Sequence, residues 1–221
     1  WNERPDSIYP MLSYVGLSNE KYGLAVLTNS TREYEIVGED FDTIAITAFR
    51  SVGYLGKGDL VRRPGRPSGI KLETPDSQMI GEVDIHFALT THKESTLKAN
   101  IARVAKEFLT PIQLYNKMPY DAMKLNKVDF TVPYSYSFMM QQDENAVLST
   151  IKKSERDEGI ILRLYNPTNV EKVSSIRFSE QIKKAYLTKL NESKIKIINR
   201  YSNEIKVRFN KNQAQTLLIS K

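Results

Sequence analysis

The chain has 221 residues, 32 basic against 26 acidic side chains, a net charge of +6 and no cysteine. That length buries a substantial core unaided, and the lack of cysteine excludes a disulfide scaffold and any thiolate zinc site. No apolar run approaches the roughly 20 residues of a membrane span and no secretory leader pattern occurs, so the expectation is a soluble, cytoplasmic protein.

Short apolar and β-branched runs open the chain: Leu12 to Leu17, Tyr22 to Thr28, Glu33 to Val37 and Asp42 to Phe49, separated by NEK, NST and GED. Close spacing of such runs predicts an antiparallel β-sandwich. Glu33 and Glu35 share a strand face, which makes them a candidate carboxylate pair for glycoside hydrolysis. An ordinary ion pair with nearby Arg32 is the alternative.

Beyond Phe49 the pattern breaks into a long loop carrying Gly53, Gly56, Gly58, Gly65, Pro64 and Pro67. Glycine permits positive φ and proline fixes φ, so the loop is expected to be shaped rather than floppy. Arg50, Arg62, Arg63 and Arg66 project from it, and rigid guanidinium forks suit a carboxylate, a phosphate or the hydroxyl pairs of a sugar. The competing expectation is a solvated loop whose arginines pair with Asp59 and Glu73.

Met79 to Leu89 reads as a further strand. From Ser95 the period changes, with Leu97, Ile101, Val104, Ala105, Phe108 and Leu109 three or four apart, which predicts an amphipathic helix capped by Ser95 or Thr96 and ended by Pro111. His86 and His92 lack any companion at metal-ligand spacing, and His86 reads as structural. The tyrosines between Tyr115 and Tyr136 are candidates for a sugar-stacking platform or for core packing between sheets.

After Met140 a second series of strands is expected at Ala146 to Lys152, Ile160 to Tyr165, Lys172 to Phe178, Lys184 to Leu187, Lys194 to Ile198, Glu204 to Phe209 and Ala214 to Ile219, with a proline turn at Asn166 to Asn169. Much of the positive charge lies in this part, interleaved with aromatic residues. The alternation of Ile195, Ile197, Tyr201, Ile205, Val207 and Phe209 with polar residues points to a half-buried strand with a lysine-rich outer face, not to nucleic-acid binding. The fold class expected is therefore all-β, a larger sandwich over residues 1–140 and a smaller one over 141–221, with one short helix.

Taken in order, YPMLSYVGL, YGLAVLTNSTREYEIVGED, AFRSVGYLGKGDLVRRPGRPSG, TPDSQMIGEVDIHFAL and EGIILRLYNPTNVE resemble the C-terminal β region of glycoside hydrolase family thirty-eight, the α-mannosidases, especially bacterial members acting on mannosylglycerate or short mannosides. The resemblance implies a supersandwich-like, galactose mutarotase-like domain followed by a smaller sandwich. It further implies a retaining, zinc-dependent enzyme whose metal ligands, nucleophile and acid lie in an N-terminal catalytic domain that this chain does not contain, so the chain reads as an excised domain without catalytic residues or cofactor. Expected partners are that catalytic domain, a mannoside substrate and, through an exposed apolar patch, further copies of the chain, with neither nucleic acid nor membrane.

In family members an arginine-bearing loop of the β region reaches the edge of the sugar site. Its counterpart here is the loop with Asp59, Arg62, Arg63 and Arg66, which Arg50 either joins or buttresses. Eukaryotic relatives carry a DD-x-RG-like pattern where this chain has GDLVRRPGRPSG, so which arginine faces the sugar stays open. A stand-alone carbohydrate-binding or scaffold module is the alternative function.

Overall fold

The structure, a computed structural model, describes residues 6–114 and 133–220. The chain divides into two compact units, Trp1–Leu109 and Thr110–Lys221, and every strand pairing in both is antiparallel. An all-β fold with a single α-helix among the described residues agrees with the alternation in the sequence.

The first unit contains β1 (Tyr9–Pro10), β2 (Tyr14–Ser18), β3 (Tyr22–Thr28), β4 (Glu33–Val37), β5 (Thr43–Ile46), β6 (Tyr54–Leu55), β7 (Leu72–Glu73), β8 (Phe87–Lys93) and α1 (Ile101–Phe108). Its sheets run β2-β3-β8, β1-β4-β5 and β6-β7. Alternation along β3 sends Ala25 and Leu27 to a face covered by Ile101 and Ala105 of α1. Val26 points the other way and packs with Met11, Val15, Ile36 and Ile44. One central strand thus serves two small cores, as period-two geometry requires.

Two expected elements start later than their apolar patterns suggest. Ser95 and Thr96 form a turn, with the Ala99 N–H donating to the Ser95 carbonyl at 2.9 Å, and Asn100 takes φ 53° before α1 begins. A left-handed residue interrupts right-handed helix propagation, and asparagine tolerates that conformation better than most residues. The run from Met79 becomes paired strand only at Phe87, because Met79 (φ 52°) and Gly81 (φ 145°) leave the extended region.

The second unit contains β9 (Met139–Gln141), β10 (Val147–Lys153), β11 (Ile160–Tyr165), β12 (Lys172–Thr188), β13 (Lys194–Phe209) and β14 (Ala214–Ser220), in the order β10-β11-β14-β12-β13 with β9 also on β12. Each of the two long strands spans what the sequence suggested were two short ones. Their register shifts between Arg177 and Ile182, and just beyond that bulge Tyr201 has φ 48° while Gln181 Nε2 donates to the Tyr201 carbonyl at 3.0 Å. A bulge bends a strand without ending it, so both halves of the hairpin contribute to one core. Ile176, Phe178, Ile182, Ala185, Ile205 and Phe209 meet Leu162, Leu164, Leu217 and Ile219 there.

Candidate functional site

The arginine-rich segment is a stapled hairpin. Tyr54 pairs with Glu73 and Leu55 with Leu72; above this stem the Lys57 N–H donates to Ser68 Oγ at 2.7 Å and the Ser68 N–H to the Lys57 carbonyl at 2.9 Å. Gly56 has φ 81°, and a Cβ there would lie 2.6 Å from the Ile70 carbonyl oxygen, so only glycine fits. Two tight turns shape the tip: the Arg63 N–H donates to Leu60 at 2.9 Å and the Arg66 N–H to Arg63 at 3.1 Å. Below the stem, the Thr74 N–H donates to Gly53 at 3.0 Å and the Val52 N–H to Ser77 at 3.2 Å. The loop is therefore shaped, as its glycines and prolines predict.

Against it lies an open cleft of about 530 Å³, whose walls include Tyr9 and Pro10 of β1, Glu33 of β4, Arg50, Lys57 and Arg62. Arg50 Nε is 2.9 Å from Glu33 Oε2, and the Arg62 guanidinium pairs with Asp6. Both arginine side chains stay substantially exposed, 64% for Arg50 and 45% for Arg62, so each keeps donor capacity toward the cleft. Asp59 and Arg66 are exposed and Arg63 is half-buried; none of these three is among the cleft's lining residues. Of the sequence-derived candidates, the structure brings Arg50 and Arg62 to one cavity.

The partners differ from those expected. Arg32 donates to the carbonyls of Leu12 and Thr31, both at 3.1 Å, and leaves Glu33 to Arg50. Glu35 accepts from Ser7 Oγ, so each of the two carboxylates has its own partner, and the ion pair formed by Glu33 is with Arg50 in place of Arg32. Arg50 and Arg62 take Glu33 and Asp6, not Asp59 or Glu73. No local signal in the sequence links Asp6 to Arg62 or Glu33 to Arg50, because the first pair closes through the long arginine loop and the second across the β4–β5 hairpin.

The remaining candidates separate clearly. Tyr115 and Tyr120 lie outside the described residues. Tyr134 and Tyr136 are exposed, and Tyr136 hydrogen-bonds Ser179 Oγ at 2.7 Å, so core packing does not describe these two. His86 participates through its backbone, its N–H donating to Ser30 Oγ at 3.0 Å and its carbonyl accepting from Thr28 Oγ1 at 2.9 Å. Among the described residues no group of three or more His, Cys, Asp or Glu side chains gathers to hold a metal. The zinc that the resemblance implies is assigned by it to a separate catalytic domain, and no described residue is given a ligand role. Nor is any described helix long and apolar enough to cross a membrane.

Comparison with known proteins places these features in context. Residues 145–217 match the family model for the glycosyl hydrolases family 38 C-terminal beta sandwich domain. Over 206 residues the chain is 29% identical to the "Putative mannosylglycerate hydrolase" of Halalkalibacterium halodurans, covering 93% of this chain and 20% of that protein. An alpha-mannosidase structure from Enterococcus faecalis V583 superposes with a TM-score of 0.74 at 15% identity, covering 99% of this chain and 22% of that one. A protein in the glycosyl hydrolase family 38 from E. faecalis superposes with a TM-score of 0.72, also at 15% identity, over 99% of this chain and 23% of that one. At such identity the two structures establish the shared fold alone, and the chain spans about a fifth of the length of these three relatives. Residues 145–217 thus match the model of the glycosyl hydrolases family 38 C-terminal beta sandwich domain, and the chain shares the fold of the two solved structures.

Proposed function

We propose that the chain is the non-catalytic β portion of a retaining, zinc-dependent cytoplasmic α-mannosidase. In this reading it packs on a catalytic domain carried elsewhere in a longer protein, which supplies the metal ligands and nucleophile. The larger β portion ends near residue 140, the smaller terminal sandwich occupies 141–221, and the arginine loop helps complete the sugar site. The observation that carries the reading is the alignment with a mannosylglycerate hydrolase-named protein along 93% of the chain.

The loop's construction supports it. A stapled stem shapes the loop that carries Asp59, Arg62, Arg63 and Arg66, and Arg50 and Arg62 line the cleft beside it, where guanidinium forks suit a hydroxyl pair or the carboxylate of an acidic mannoside. Exposed arginines contribute on the order of 1 kcal/mol or less to stability, so Arg62→Ala and Arg66→Ala should fold normally, and Arg63→Ala, at a half-buried position, should keep the fold at a larger cost. In the longer enzyme at least one of the three lowers kcat/KM about tenfold or more, the loss expected for a charge-assisted hydrogen bond of roughly 1.5–3 kcal/mol. The chain by itself should release no nitrophenol from an aryl α-mannoside, with or without zinc. Wild-type kcat/KM in all three variants, or zinc-dependent turnover by the chain alone, refutes the reading.

A further inference from the structure

A second cleft in the first unit, of about 610 Å³, lies where the β4–β5 hairpin tip approaches the β2–β3 hairpin. It shares no lining residue with the arginine-loop cleft. Its walls include Tyr22, Leu24, Phe41, Asn19, Asp40 and Asp42, and no lysine, arginine or histidine. We propose that this cleft is a carbohydrate-binding site for a neutral hexopyranose.

Phe41 carries the argument. It has φ 52°, a left-handed conformation that a turn normally gives to glycine or asparagine and that costs a bulky L-residue free energy. Burial does not repay that cost, because Phe41 is 69% exposed. A strained turn holding an aromatic ring at the lip of a cleft points to use of that ring. Tyr22, from the neighbouring hairpin, is 66% exposed on the same cleft. Aromatic faces complement the C–H face of a pyranose.

Polar groups stand where hydroxyls need them. Asn19 Oδ1 accepts from the Lys21 N–H at 2.8 Å and the Tyr22 N–H at 2.9 Å, which fixes the amide and leaves its NH2 as a donor. Asp42 Oδ1 accepts from Thr43 Oγ1 at 3.0 Å, leaving its second oxygen to accept. Asp40 adds an exposed carboxylate. Carboxylates without a lining cation repel uronates and phosphates and accept from vicinal hydroxyls, which selects a neutral sugar. A protein partner covering this cleft would have to supply cations for those carboxylates or bury them unpaired at considerable cost.

The inference does not rest on the proposed function, since it uses none of the arginine loop. Saturation-transfer-difference NMR of the 221-residue chain with methyl α-mannopyranoside, methyl α-glucopyranoside and glucuronate tests it. Transfer to ring C–H protons of a neutral pyranoside is expected, with a Kd on the order of 1 mM, as suits so small a ligand. Phe41→Gly should weaken binding tenfold or more while Tm stays level or rises, because glycine relieves the strained φ. Tyr22→Ala should weaken it similarly. The proposal is overturned by absence of transfer from both neutral pyranosides, by undiminished binding to Phe41→Gly, or by glucuronate binding as well as they do.

Discussion

Replacing Asn166 by aspartate exchanges one buried amide nitrogen for oxygen, and the structure says what that exchange costs. Asn166 is 1% exposed. Its Nδ2 donates to the Val170 carbonyl at 2.7 Å and the Asn210 carbonyl at 2.9 Å, while its Oδ1 accepts from the Thr168 N–H at 2.9 Å and Thr168 Oγ1 at 2.7 Å. The side chain therefore ties the Asn-Pro turn after β11 to the β13–β14 connection. Alanine removes four bonds at about 1 kcal/mol each, partly recovered where water reaches the turn, so Asn166→Ala should cost roughly 2–4 kcal/mol. Aspartate keeps the two bonds from Thr168 but sets a carboxylate oxygen against two carbonyls. At neutral pH Asn166→Asp should cost as much as alanine or more, and part of the loss should return as acid protonates the carboxyl. Urea denaturation followed by far-UV circular dichroism at pH 7 and pH 4 measures both variants. An aspartate variant within about 0.5 kcal/mol of wild type at pH 7 refutes the reasoning.

Two further outcomes concern acid sensitivity and loop shape. Glu192 is 5% exposed; Lys152 Nζ at 2.8 Å, the Glu155 N–H at 2.7 Å and Ser154 Oγ at 2.8 Å hold its carboxyl at about 2, against an ordinary 4.5. Because the folded value lies below the unfolded one, these contacts stabilise the fold above about pH 4.5 and that stabilisation is lost as pH falls toward 2; Glu192→Gln should flatten this stretch of the urea midpoint against pH, and an acid profile identical to wild type refutes it. Gly56→Ala places a methyl group against the Ile70 carbonyl at φ 81°, so amide exchange at Lys57 and Ser68 should speed up about tenfold, equivalent to roughly 1.4 kcal/mol of local opening, with little change in the rest of the unit. Unchanged protection at those two amides would show that the stem does not depend on the glycine.

Alternation at period two determined the strands of both units, because side-chain direction along an extended chain is a local property that any half-buried sheet imposes. The proline and glycine punctuation likewise located the turn at Asn166 and the shaped loop after Arg50. The long strands β12 and β13 escaped that logic. At Ser179 to Gln181 and around Tyr201 the alternation loses phase, which in sequence resembles a turn, and only pairing with the opposite strand turns it into a bulge. Ion-pair choice was also decided in three dimensions: Glu33 has Arg32 beside it in sequence, yet the end of β5 delivers Arg50 to it and folding of the loop delivers Arg62 to Asp6. Phe41 gave no signal, since its residue type argues for a core position and its backbone angle is set by closure of the β4–β5 hairpin. Local pattern reports what each segment prefers, whereas the clefts form from segments distant in sequence, whose approach is set by packing and loop closure.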